Sequence, residues 1–236
     1  MHWPRVEAII LAGGRGERLM PLTADRPKCL VELAGQPLIA HQLRWLARQG
    51  IKRVVISCGY HWEQIRSFLG SGSTYGLDVT YAPEETPLGR GGGLRKALAK
   101  LKTRELVVAC NGDTLTSLAL RPMIRAHRRS GALATLLLVP YLSQHGIAEV
   151  DIQSRIVGFR EKPSLPYLLS GGIYVLSPDI ERLLPRRGDH EVTLWPRLAA
   201  ERRLYGYRFL GFWQSVDSAK DLQRAERRLR RVRLAG

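Results

Sequence analysis

The sequence predicts an α/β protein with a mostly parallel sheet and helices on both faces. Three observations carry this. Short β-rich apolar runs alternate along the chain with segments of helical periodicity, so the first part reads β-α-β-α. At least one intervening segment is plainly amphipathic. The 236 residues with 44% hydrophobic content can bury a full core, and residues 1–236 are expected to form a single domain.

Taken in order, strands are predicted at residues 6–11, 54–58, 79–82, 106–110 and 134–139. Residues 37–49 read as a crossover helix, because Ile39, Leu43, Leu46 and Ala47 share one face, Arg44 and Arg48 lie elsewhere, and Gly50 ends it. The stretches "EVDIQSRIVGFREKP" and "GGIYVL" read as further strands. Helices are expected over 180–184 and 192–203, then a strand over 204–210. Residues 217–232 read as a closing helix with arginines on its outer faces. No repeat, low-complexity linker or domain boundary interrupts the pattern.

A formal charge of +16, mostly from arginine, attracts nucleotides, sugar phosphates, nucleic acids or anionic lipid heads without choosing among them. Cys29, Cys58 and Cys110 have neither paired nor metal-like spacing, which points to buried thiols in a reducing compartment. The opening "MHWPRVEAIILAGG" is too short and too soon broken by glycine for a signal peptide, and no apolar run reaches spanning length. A soluble, cytoplasmic protein with no membrane partner is expected. The closing "RRLRRVRLAG" lacks interleaved aromatic rings, which disfavours a nucleic-acid partner.

In open sheets of this kind ligands sit beyond the carboxyl ends of strands, so residues just after strands matter most. The first such place is "LAGGRGERLMPLTADRPKCL". It is not a P-loop, since no Gly-Lys-Ser/Thr follows, and it lacks the last glycine of a dinucleotide fingerprint. The backbone N–H groups of Gly13, Gly14 and Gly16 form a candidate anion seat, with Arg18 and Lys28 bringing charge to the same phosphate. The plain alternative is a glycine-rich turn with surface arginines.

The second place is "LVVACNGDTL", a buried strand ending in Asn111, Gly112 and Asp113. An aspartate there is placed to hold Mg2+, which favours carboxylate plus phosphate oxygens; the alternative is an Asx turn. The third is "FREKPS", where Glu161 and Lys162 are either functional or a solvated pair.

Together these residues carry a resemblance. "LAGGRGERLMPLTADRPKCLVELAGQPLI" resembles the signature of the sugar-1-phosphate nucleotidyltransferases (nucleoside-diphosphate-sugar pyrophosphorylases), and "PEETPLGRGGGLRKAL", "NGD", "EKP" and "SGGIYVL" match that family's later motifs in order. The resemblance covers nearly the whole chain. It implies a Rossmann-like, GT-A-like nucleotidyltransferase fold and an enzyme in which a sugar 1-phosphate attacks the α-phosphorus of a nucleoside triphosphate and pyrophosphate leaves. Catalysis of that kind is positioning plus electrostatics, and no general base is needed because the sugar phosphate is already an anion.

Carried over by motif, the resemblance implies that Arg18 braces the triphosphate, Lys28 meets the phosphates at the reacting centre and Asp113 holds Mg2+. Lys162 would grip the sugar phosphate, with Gly146, Glu161, Gly171 and Gly172 around the sugar. The nucleotide would touch Leu11, Ala12, Gly13, Gly14, Arg15, Gly16, Asn111 and Gly112. Gly91 and Gly92 would let a base lie against the main chain. Glu84 or Glu85 would accept hydrogen bonds from it, guanine offering two adjacent donors, or would simply cap the following helix.

Three positions depart from the pattern. Glu17 stands where threonine is common, Ser170 where asparagine is common, and Ser215 where the second metal aspartate is usual. Asp217 lies two residues on and is the candidate second ligand; this W-Q-x-x-D arrangement looks like the cytidylyltransferase branch that makes CDP-glucose. Residues 1–236 are not expected to contain the long C-terminal β-helix of some relatives, and a homo-oligomer is an open expectation. The favoured substrates are GTP with mannose- or heptose-1-phosphate, the alternatives UTP, dTTP or CTP with another sugar 1-phosphate. A catalytically idle nucleotide-binding regulatory subunit is the rival reading, and a basic nucleic-acid binder a weaker one.

Overall fold

The computed structural model describes residues 6–103 and 105–234. The first predicted strand forms as β1 (Glu7–Ala12). A tight hairpin of β2 (Glu32–Leu33) and β3 (Gln36–Pro37) leads into helix α1 (Leu38–Arg48), followed by β4 (Arg53–Cys58), α2 (Trp62–Leu69) and β5 (Asp78–Pro83). Next come α3 (Gly89–Leu98), β6 (Val107–Asn111), a short β7 (Thr114–Thr116), α4 (Leu120–Ser130) and β8 (Ala134–Leu142).

The run 149–163 is not one strand. It supplies most of a two-stranded antiparallel hairpin outside the main sheet, β9 (Ile147–Val150) with β10 (Ile156–Arg160). Its turn is set by Asp151, whose carboxylate accepts from the amides of Gln153 and Arg155, both at 2.9 Å. After β11 (Ser164–Leu176) come α5 (Ile180–Leu183), α6 (His190–Ala200), β12 (Leu204–Arg208), β13 (Trp213–Ser215) and α7 (Ala219–Leu234).

Two helix starts differ from expectation for local reasons. Asp189 accepts from the Glu191 amide at 2.8 Å and so begins α6 two residues before 192. The Asp221 amide donates to Ser218 Oγ at 3.2 Å, which starts α7 after residue 218 and leaves Asp217 in the preceding loop.

The main sheet has seven strands in the order β12-β8-β11-β6-β1-β4-β5. β1 pairs in parallel with both β4 and β6, and β4 with β5, while β12 runs parallel to β8. Only β11 is reversed, antiparallel to β6 and β8. Its reversal places the residues before its inner half at the carboxyl end of β6.

Both faces are covered, as the unbroken apolar strands require. On β1, Ala8 and Ile10 face a core with Leu43 and Leu46 of α1, Ile65 of α2 and Met123 of α4. Ile9 faces a second core with Leu94 of α3, Ile180 of α5 and Leu198 of α6. All three cysteines are free and buried, and burial pushes each thiol up to about 12.

One buried polar group ties α4 to the sheet. His127 Nδ1 lies 2.8 Å from Thr135 Oγ1 and Nε2 lies 3.1 Å from Ser177 Oγ. Burial lowers its pKa from 6.5 to about 4, so the folded protein keeps it neutral where the unfolded chain takes up a proton. Its contribution is fully present above pH 6.5 and is lost as pH falls towards 4. The loss amounts to about 3 kcal/mol. In urea titrations the wild type should therefore lose more stability between these pH values than His127→Gln; equal slopes would contradict the assignment.

Candidate active site

The crevice opens at the carboxyl ends of β1 and β6, where the chain order reverses from β4 and β5 on one side of β1 to β6 on the other. Its volume is about 1180 Å³. Gly13, Gly14 and Gly16 leave β1 along its floor. Gly16 has φ +72°, and a Cβ there would lie 2.9 Å from Lys28 Cβ. Only glycine both adopts that turn and lets Lys28 approach. The Gly16 carbonyl also accepts from Thr23 Oγ1 at 2.9 Å and from the Leu19 amide at 2.8 Å.

At the centre, Lys28 Nζ donates to Asp113 Oδ2 at 2.5 Å and to Asp217 Oδ1 at 2.8 Å. Arg18 Nη2 reaches the same Asp217 oxygen at 2.7 Å, and Ser215 Oγ donates to Oδ2 at 2.6 Å. Burial works to raise the Asp217 pKa, but hydrogen bonds from Lys28 and Ser215 and the charges of Lys28 and Arg18 hold it below the ordinary carboxylate value. Asp217 is thus ionised and shares one ammonium with Asp113. The Ser215 hydroxyl orients Asp217.

The loop carrying Asp113 is held from α1: Gln42 Nε2 donates to the Asn111 carbonyl at 2.5 Å and the Thr114 carbonyl at 3.0 Å. Opposite, Gly172 has φ +66°, and a Cβ there would lie 2.6 Å from Asn111 Nδ2. Trp213 Nε1 fixes this turn by donating to the Gly171 carbonyl at 2.8 Å.

At the far end, the two oxygens of Glu84 face different ways. Oε2 accepts from the Leu88 amide at 2.8 Å, just before α3 begins. Oε1 lies within the crevice beside Gly13, Gly93 and Ser57, and a Cβ on Gly13 would stand 3.2 Å from it.

The structure gathers Leu11, Ala12, Gly13, Gly14, Arg15, Gly16, Arg18 and Lys28 around one hollow, with Glu84, Glu85, Asn111, Gly112, Asp113, Gly171, Gly172 and Asp217. Other expected residues lie elsewhere. Gly91 and Gly92 belong to α3 and pack on the segment 185–190, where a Cβ would lie 2.6 Å from Pro185 Cγ or from the Arg186 carbonyl oxygen, respectively. They make room for protein, not for a base. Gly146, Glu161 and Lys162 form a separate group by the β9–β10 hairpin and do not line the crevice. There Lys162, at φ +46°, pairs with Glu161 Oε1 at 2.5 Å, and Gly146 lies against the Phe159 ring and the Glu161 carboxylate.

Several lining residues were not anticipated. Tyr60 follows β4 as Gly14 follows β1, so the strand-end rule could have found it; Arg15 lies over its ring at 5.6 Å. Arg90 and Glu191 enter from helix starts and carried no such signal.

A metal fits the donors present. Two carboxylates converge on one cation, and no group of three or more His, Cys, Asp or Glu that could hold a metal exists among the described residues. Such a pair suits a hard divalent ion that takes its remaining ligands from phosphate and water.

Fold and site define an α/β protein whose crevice holds a glycine-rich turn and a carboxylate pair sharing one ammonium. The nucleotidyl transferase family model matches residues 7–231. A mannose-1-phosphate guanylyltransferase of Mycobacterium tuberculosis is 32% identical over 228 residues, covering 93% of this chain and 63% of the relative. A putative glucose-1-phosphate thymidylyltransferase from Bacillus anthracis, solved with sucrose, superposes with a TM-score of 0.77 at 27% identity over 95% of each chain. HddC from Yersinia pseudotuberculosis, solved with GMP-PN, shares the fold with a TM-score of 0.75 at 21% identity, covering 94% of this chain and 99% of its own. The chain belongs to the nucleotidyl transferase family. It spans somewhat less than two thirds of the length of its curated guanylyltransferase relative.

The left-handed turn at Gly16 gives a direct test. Gly16→Ala should lower stability by about 1–3 kcal/mol in denaturant unfolding, through backbone strain and displacement of Lys28. An unchanged midpoint would show that the turn is not constrained as described.

Proposed function

We propose that the protein transfers a nucleotidyl group from a nucleoside triphosphate to a sugar 1-phosphate, releasing pyrophosphate, with GTP and mannose- or heptose-1-phosphate as substrates and Mg2+ as the metal. The observation that supports this most is the convergence of Lys28, Asp113 and Asp217 beside the Gly13–Gly16 turn. Polyphosphate chemistry needs donors and carboxylates preplaced around one point.

In this reading the amides of Gly13, Gly14 and Gly16 receive phosphate oxygens and Arg18 neutralises the departing pyrophosphate. A phosphate oxygen of the sugar phosphate bonds to the α-phosphorus. The bond from that phosphorus to the α,β-bridging oxygen breaks, and pyrophosphate carries the electron pair away. Asp113 and Asp217 would hold Mg2+, which when bound supplies positive charge to the phosphate oxygens. Lys28, no longer the only cation between them, stabilises charge at the reacting phosphorus. Gln42 and Ser215 keep the two carboxylates in register.

Guanine is favoured by Glu84 Oε1, which faces the crevice beside Gly13 and Gly93 and can accept from the adjacent N–H donors of that base. The guanylyltransferase names of the curated relatives point the same way. Lys162 and Glu161 would meet the sugar phosphate only if the hairpin strands moved towards the crevice. No helix among the described residues is long and apolar enough to cross a membrane.

With Mg2+, five nucleoside triphosphates and a panel of hexose and heptose 1-phosphates, pyrophosphate release should be fastest for GTP with a mannose-type acceptor. No release from any pair would contradict the reading and favour a regulatory subunit. Asp113→Asn should lower turnover by about 100-fold or more with the fold intact, since it removes a charged ligand at nearly constant shape. Glu84→Gln should lower kcat/KM for GTP by about tenfold or more while sparing UTP. Equal losses for both nucleotides would place the base elsewhere.

A further inference from the structure

Three crevice-lining groups outside the phosphate centre form one connected wall. Arg90, on the first turn of α3, donates from Nε to Asp189 Oδ2 at 2.8 Å, while Nη2 lies 2.6 Å from the same oxygen and Nη1 lies 2.7 Å from Glu191 Oε2. The other Glu191 oxygen accepts from the Tyr174 hydroxyl at 2.8 Å. Tyr174 is fully buried on β11, and Ser170, four residues earlier on the same strand, stands at the start of the glycine turn. Ser170, Glu191 and Arg90 all face the crevice.

The glycines of α3 explain how Arg90 reaches its carboxylates. The Gly91 amide donates to the Gly188 carbonyl and the Gly188 amide to the Leu88 carbonyl, both at 2.8 Å. Side chains at 91 or 92 would drive these segments apart. Arg90 is therefore held at its backbone by this clamp and at its head by a carboxylate fork, yet its side chain remains 49% exposed.

We propose that Arg90, with Glu191, is a specificity-determining residue that reads neutral hydroxyl groups of the sugar 1-phosphate. A guanidinium has five N–H groups. The ion pairs with Asp189 and Glu191 do not use all five, which leaves donors for a ligand. Two carboxylates against one guanidinium leave the cluster formally negative, which disfavours a sugar carboxylate or second phosphate. A hydroxyl suits it, because it accepts from Arg90 and donates to Glu191 at once. The acceptor sugar is indicated over the base because the wall runs through Tyr174 to Ser170 and the Gly171–Gly172 turn, whereas Glu84 supplies the base end.

This inference rests on the proposed nucleotidyl transfer. Steady-state kinetics with GTP and mannose 1-phosphate separate the two. Arg90→Ala should raise KM for the sugar phosphate about tenfold, the effect of losing a hydrogen bond to a charged group, with KM for GTP within about twofold. Arg90→Lys should give a similar rise, since a point charge does not reproduce the fork, and it stands in if the alanine variant does not fold. The wild type should also use hexuronic acid 1-phosphates at least tenfold less well than the matching neutral sugars. Were the wild type to turn over while both variants matched it, or were the KM for GTP to rise instead, the role of Arg90 would be overturned and the reaction would stand. No pyrophosphate release by the wild type would remove the reaction itself.

Discussion

A single ammonium group organises the functional end of this molecule. Lys28 Nζ joins Asp113 and Asp217, residues 85 and 189 positions away in the chain. Its side chain is only 15% exposed, so either carboxylate left without it would face the other across a poorly hydrated gap. The approach of Lys28 depends on Gly16, where any side chain would collide with it, and Asp113 is held in place by Gln42 on α1. Strand ends, a helix face and the loop before α7 thus meet at one charge. A ligand that brings its own positive charge to the two carboxylates frees Lys28 for phosphate oxygens, which gives the arrangement a chemical use beyond cohesion.

Most of this was legible in the sequence, because strand ends in a parallel sheet all point to one edge. Gly13 to Gly16 after β1 and Asn111 to Asp113 after β6 reach the crevice by that rule. Asp217 was legible through its spacing from Trp213, whereas nothing in the sequence signalled that Ser215 donates to it. The reversed direction of β11 was not legible, since an apolar strand buried on both faces reads the same either way. That reversal brings Gly171 and Gly172 to the site ahead of their strand's inner half.

The glycines at 91 and 92 show why residue type alone misleads. Glycine permits close approach without saying of what. In this chain the approaching group is the segment 185–190, and the consequence appears one residue away, at Arg90, held in its fork. The cluster of Gly146, Glu161 and Lys162 was identified by motif, yet it stands on strands outside the crevice, because a motif fixes order along the chain and not the position of a hairpin relative to the sheet.

The charge of +16 is likewise only partly explained by the site, where Arg15, Arg18 and Lys28 line a crevice that also contains Asp113, Asp217 and Glu84. Local pairing, not net charge, decides what the hollow accepts. A crystal structure of the protein with Mg2+ and a non-hydrolysable GTP analogue tests this account most directly. The account predicts a divalent ion bound by both Asp113 and Asp217, the phosphates on the Gly13–Gly16 turn, and Lys28 Nζ turned onto a phosphate oxygen. An ion bound away from that carboxylate pair, or phosphates seated elsewhere with Lys28 still bridging it, would contradict the account.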